Sequence, residues 1–140
     1  MSSELDRALV NIGLAGGPVK PAPHPDGARE DRTYWDVAFP AGPERIPTVV
    51  EQPMTYLVSC PGTPAEDALI AGALMADARV RGCAVDVYEY INLQDREPFE
   101  VTLTPRPGAH GVRHSQAHGR DHHLPTAVAN AWLAMFGRGA

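Results

Sequence analysis

The sequence predicts an α+β domain with a mixed or mainly antiparallel sheet of four to five strands, one central covering helix and a helix at each terminus. Three observations support this class. A strand, a capped helix and a second strand follow one another over residues 54–91. Residues 33–39 and 99–104 alternate between two sets of side chains, which is the period of a strand. Apolar stripes at helical spacing lie near both ends of the chain.

The strand–helix–strand unit begins at Met54–Cys60, where both faces carry apolar side chains, as in an inner strand. Thr63 and Glu66 have the spacing of a capping box, with a proline between them at the first helical position. Gly82 is placed to end the helix in a left-handed conformation. We therefore expect one helix between these signals, followed by a strand over residues 83–91 that is rich in valine and tyrosine.

Two more strands are predicted from the alternating segments. Residues 33–39 place their largest apolar side chains on one face, and residues 99–104 form a strand with one wet face. The second of these is expected to make a hairpin with the strand before it. Residues 46–50 are expected to return as a partner strand at a sheet edge, because Pro47 has no N–H for a central ladder.

The domain organisation follows from proline, glycine and helix signals. An N-terminal helix and a Pro/Gly-rich arm are predicted for residues 1–28, and a single α+β domain for residues 29–140. Within that domain, residues 108–123 are expected to form a His-rich loop, and Leu124–Phe136 the final helix. The 13 glycines and 14 prolines indicate that irregular connections take up much of the 140 residues.

The two terminal helices suggest contact with another molecule. The final helix contains no charged residue and is apolar on most sides, so it is either wrapped by its own domain or buried against a partner. Complete burial of a terminal helix is difficult in so small a chain. We therefore expect a protein partner or a homo-oligomer to contact the two apolar helical stripes: Leu5, Leu9, Ile12, Val128, Trp132, Met135 and Phe136.

A histidine cluster is the second candidate site. Five of the six histidines fall between His110 and His123, and four of them are spaced by four residues. Neutral imidazoles are good ligands for zinc or another divalent transition metal, and no other cofactor is predicted. The candidate ligands are His110, His114, His118 and His122. The simpler interpretation of the same stretch is a polar loop, and a further alternative is an anion or nucleic-acid contact through Arg106, Arg113 and Arg120.

Cys60 and the turn after it suggest two weaker possibilities. A thiol just before a helix N-terminus, with a histidine and Asp121, would make a nucleophilic set. The carboxylates of Glu66 and Asp67 argue against this, because they raise the thiol pKa. They also repel phosphate, and the turn lacks the several glycines and the lysine of a phosphate-binding loop. Cys60 and Cys83 are better explained as buried small apolar residues of a reduced protein.

Charge and hydropathy narrow the possible functions. The net charge of −5 argues against general attraction to nucleic acids or membranes, and no apolar run is long enough to cross a bilayer. The first residues lack the basic and then apolar pattern of a signal peptide, so a cytoplasmic or virion-associated location is expected. We therefore expect a non-catalytic assembly or adaptor subunit of a larger complex, such as a virion or another multi-chain particle. The alternative is a small metal-dependent or histidine-based enzyme that uses the cluster from His110 to His123.

Overall fold

The computed structural model describes residues 4–40, 54–91, 98–109 and 115–137. Along these ranges the chain forms three helices and six strands, an α+β fold. In chain order the elements are α1 (Glu4–Leu14), β1 (Val19–Pro21), β2 (Thr33–Phe39), β3 (Met54–Cys60), α2 (Pro64–Val80), β4 (Cys83–Glu89), β5 (Phe99–Pro105), β6 (Ala117–Asp121) and α3 (Leu124–Phe136). The strand predicted at residues 46–50 lies outside the described residues.

The strands form two separate three-stranded antiparallel sheets, β1-β2-β3 and β4-β5-β6. In the first, Thr33 pairs with Cys60 and Phe39 pairs with Met54. In the second, β4 and β5 form the predicted hairpin, and β6 adds to the far side of β5. The prediction of a single sheet with four to five strands was therefore wrong.

The position of α3 explains why there are two sheets. α3 contacts α1 and α2 as well as β5 and β6, so elements of the same chain surround it. Because buried side chains occur around most of its circumference, a single sheet on one side would leave much of the helix wet. The two strands that flank α2 in sequence therefore belong to different sheets. The covering helix predicted at the centre is α2, but the helix at the centre of the core is α3.

One carboxylate ties α2 to α3. The Asp77 Oδ2 atom accepts hydrogen bonds from Trp132 Nε1 at 2.8 Å and from Arg81 Nε at 2.7 Å. The Arg81 guanidinium also lies over the Trp132 ring, 5.1 Å from its centroid, and donates to the carbonyl oxygen of Gly16 at 3.1 Å. The polar atom of a buried tryptophan thus has a charged acceptor, and the segment after α1 is held to the same point.

Local signals at the helix ends were predicted correctly. Thr63 caps α2 and forms a complete capping box with Glu66, and Gly82 adopts a φ of +98° just after the helix.

None of the helices in the described ranges is both long and apolar enough to cross a bilayer.

Gly119 allows β6 to lie directly against α3. A Cβ atom at this position would overlap the carbonyl oxygen of Ala127 and would lie 2.6 Å from the backbone nitrogen of Ala131. The strand and helix backbones therefore touch, which no other residue type permits. β6 falls within the stretch that the sequence predicts to be a His-rich loop, and this close approach is what makes the segment part of the core.

A pair of glycine substitutions tests this packing. Gly119→Ala should lower the free energy of unfolding by about 1–3 kcal/mol or more, because backbone atoms of α3 occupy the space that the added methyl group needs. The matched control is Gly72→Ala in α2, where the added Cβ meets only the Phe39 ring at 3.4 Å. Alanine is favoured over glycine in a helix by about 1 kcal/mol, so this variant should be as stable as the wild type or more so. Denaturant unfolding measures both, and equal stabilities of the two variants would contradict the close approach.

Candidate functional site

A cleft of about 570 Å³ opens where the start of α1, the end of β3, the start of α2 and the junction between β6 and α3 meet. Its lining is mostly charged or polar. These side chains are Glu4, Asp6, Glu30, Asp31, Arg32, Thr33, Asp67, Asp121, His123 and Thr126. Ionisable and hydroxyl side chains from four elements or their junctions are therefore concentrated in this cleft.

His123 stands at the centre of the hydrogen bonding in this cleft. Its Nε2 atom lies 2.9 Å from Asp67 Oδ2, and its Nδ1 atom lies 3.0 Å from Thr126 Oγ1. Its backbone N–H donates to Asp121 Oδ1 at 2.9 Å. Since a carboxylate only accepts, Nε2 carries a hydrogen towards Asp67. The result is a row of hydroxyl, imidazole and carboxylate that joins the start of α3 to the start of α2.

The Cys60 thiol lies in the same cleft but is held in its protonated form. Burial, together with the negative charges of Asp6, Asp67 and Glu66, raises its pKa to about 12. The structure thus brings Cys60, Asp121 and a histidine together, which the sequence did not show. The prediction that Glu66 and Asp67 raise the thiol pKa is confirmed. A neutral thiol is a poor nucleophile. Burial also raises the pKa of the Cys83 thiol.

Glu66 fixes the turn that forms one wall of the cleft. Its Oε2 atom accepts from the backbone N–H of Ser59 at 2.7 Å and from the Ser59 hydroxyl at 3.0 Å, and Oε1 accepts from the N–H of Thr63 at 3.1 Å. The Ser59 N–H is the main cause of the lowered pKa of the Glu66 carboxyl. These two amides already have a carboxylate acceptor, so they are not free to bind a phosphate.

The histidines predicted as metal ligands are only partly described. His118 lies on β6 with its Nδ1 atom 3.0 Å from Thr102 Oγ1, and His122 is exposed just after β6. His110 and His114 lie outside the described residues. Among the residues that are described, no three His, Cys, Asp or Glu side chains are grouped as metal ligands. The four-histidine site therefore stays a prediction.

The arginines predicted to contact an anion are not shown to converge. The Arg120 guanidinium lies over the Tyr90 ring at 5.4 Å, and its Nε atom is 3.8 Å from Glu100 Oε2. Tyr90 also donates a hydrogen bond to Glu100, which raises the pKa of the phenol. Arg106 is exposed after β5, and Arg113 lies outside the described residues.

The seven apolar residues predicted to meet a partner lie in the core of the single chain. None of them is more than 8% exposed. They are Leu5, Leu9 and Ile12 on α1, and Val128, Trp132, Met135 and Phe136 on α3. Their side chains already pack against other elements of the chain, so any partner has to meet a different surface.

The free edge of β3 is such a surface. β3 pairs with β2 on one side and with no described strand on the other. Its exposed half carries Met54 and Leu57, which are 45% and 51% exposed. The expectation of an inner strand came from the apolar residues on both faces, and within the described chain the strand is instead at an edge.

The other edge strands of the two described sheets are protected in the usual ways. β1 has only three residues and contains Lys20 and Pro21. β4 carries Asp86 and Glu89, and β6 ends in Arg120 and an aspartate. Charge, proline and short length all discourage an edge from pairing with another chain. The seven residues of β3 include none of these features, and on one side no strand of the described ranges pairs with them.

Acidification should weaken the turn at the cleft wall. The pKa of Glu66 is lowered from its ordinary value of 4.5, so its stabilising contribution is present above that value and is lost as the pH falls through the folded-state pKa. Glu66→Gln should therefore cost about 1 kcal/mol near neutral pH, the scale of a capping bond. The difference between wild type and variant should shrink in acid, as measured by denaturant unfolding at several pH values. A difference that stays constant across this range would contradict the assignment.

A scan against models of protein families, a search of curated proteins and a search of solved structures each found no match for this chain.

Proposed function

We propose that this protein is a non-catalytic assembly subunit that joins a larger complex through the free edge of β3. The observation that carries the proposal is the contrast between the strand's composition and its position. β3 has seven residues with no charge or proline and exposes Met54 and Leu57, yet it has a described neighbour on one side only. A strand from another molecule would pair with the side of β3 that has no described neighbour.

Association through β3 would be driven by hydrogen bonds between backbone groups and by the burial of apolar side chains. An edge strand presents a row of N–H and C=O groups, and pairing with an added strand satisfies them in a regular ladder. The exposed side chains of Met54 and Leu57 would lose contact with water at the same time. The terminal helices take no part in this contact, since their apolar stripes are buried.

Native mass spectrometry of the untagged protein tests the proposal. A species heavier than the single chain of 15.0 kDa is expected, either as an oligomer or with a partner that purifies with it. Hydrogen exchange of the β3 amides should slow as the concentration of the complex rises. The proposal fails if the protein is a single chain at every concentration, with no partner in the extract and unchanged exchange in β3.

The cleft favours a second candidate, general acid–base chemistry at His123. A hydroxyl within hydrogen-bond reach of an imidazole, with the imidazole oriented by a carboxylate, is the arrangement of an activated nucleophile. Thr126, His123 and Asp67 have this arrangement and line one cleft. Because Thr126 is only 4% exposed, the chemistry would require a small substrate that reaches into the cleft.

Hydrolysis of small activated esters tests this candidate. His123→Gln and Asp67→Asn should each lower the rate at least tenfold if the row is catalytic, since one removes the base and the other its orientation. The matched control is His118→Gln, which alters a histidine on the outer face of β6 and should leave the rate unchanged. Equal rates for wild type and all three variants would rule out the candidate.

A further inference from the structure

We infer that the partner of β3 is the β3 strand of a second copy of this chain, paired antiparallel across a two-fold axis. The β1-β2-β3 sheets of the two copies would then form one continuous six-stranded sheet, with three strands from each copy. This inference rests on the proposed function and names its partner.

Self-pairing of a strand is symmetric, so its middle residue faces its own copy. In an antiparallel pair over the full length of β3, Leu57 opposes Leu57 of the second copy, and Tyr56 opposes Val58. Leu57 is half exposed and lies on the face away from the helices. Two leucines at the axis would shield each other from water, and opposed apolar side chains stabilise a strand pair.

The other described edge strands suit self-pairing less well. The middle residue of β1 is Lys20 and the middle residue of β4 is Asp86, so each would face its own copy. Like charges in direct opposition destabilise a strand pair. In β6 the middle residue is Gly119, which has no side chain to pack at the centre of the pair. Among the edge strands that the structure describes, β3 alone places an apolar side chain at the centre without bringing like charges together.

The acidic residue that lies beside Leu57 on the described part of the outer face does not oppose the pairing. Asp36 on β2 lies directly beside Leu57. In the joined sheet the two copies of Asp36 are separated by three strand spacings, about 14 Å. That distance exceeds the screening length of about 8 Å at physiological ionic strength, so their repulsion is weak. Every copy of the chain also carries the same β3 edge, so a second copy always offers a strand without charge or proline.

Charge substitutions at two edges test the inference. The wild type should have twice the mass of the 15.0 kDa chain in light scattering. Leu57→Lys places two ammonium groups in opposition at the axis and should weaken dimerisation at least tenfold. The matched control is Val87→Lys on the edge strand β4, where the exposure is a similar 44%, and it should remain a dimer. Circular dichroism establishes that both variants fold.

A cross-link tests the register. Opposed residues of antiparallel strands have Cα atoms about 4.5–5.5 Å apart, within the range that a disulfide spans. Leu57→Cys should therefore form a covalent dimer with oxidised glutathione as the oxidant, whereas Val87→Cys should stay a single chain. The native cysteines are buried, and the raised pKa of each thiol suppresses its reaction.

The outcomes separate this inference from the function on which it rests. Suppose that the wild type is a dimer, that Leu57→Lys remains a dimer and that Leu57→Cys does not cross-link. This result would overturn the β3 pairing and would mean that the chain assembles through another surface. A single chain that binds a different protein along β3 overturns the second copy as partner. A single chain with no partner removes both the inference and the proposed function.

Discussion

Burial of α3 is the constraint on which the rest of the structure depends. The helix has no charged residue, and nine of its 13 residues are buried. Each large apolar side chain that is removed from water contributes about 1.5–3 kcal/mol, so leaving one side of this helix wet would be costly. The chain meets the constraint by placing α1, α2 and the second sheet around it.

That arrangement also explains details that appear unrelated in the sequence. Gly119 has no side chain because β6 must come close enough to cover α3. Asp77 lies on α2 where the indole N–H of Trp132 needs an acceptor. His123 precedes α3, and its ring reaches Asp67 at the start of α2. The cleft is thus a consequence of how the ends of the buried helix and its neighbour are held together.

The same packing leaves β3 at an edge. Because the strands on either side of α2 enter different sheets, β3 pairs only with β2 among the described strands. In a single sheet the apolar faces of β3 would have been ordinary features of a central strand. In two sheets β3 is an edge strand without charge or proline among the described strands, and an edge of this kind is prone to pair with another chain.

The sequence by itself determined the local structure. Alternation located β2, β3 and β5, and a composition rich in valine and tyrosine located β4. The capping signals located α2 and the uncharged run located α3, because all these patterns depend on neighbours within a few residues. It did not reveal β1, which has three residues, or β6, whose glycine and histidines are typical of a loop.

Only the tertiary structure decided which strands share a sheet, what covers the terminal helices and which side chains meet in the cleft. Asp67 and His123 are 56 residues apart in the chain, and Asp77 and Trp132 are 55 apart. Pairings of this kind depend on how whole elements pack. The apolar stripes showed that α1 and α3 had to be covered, but the identity of the cover was set by long-range packing, since the hydrophobic effect has no direction.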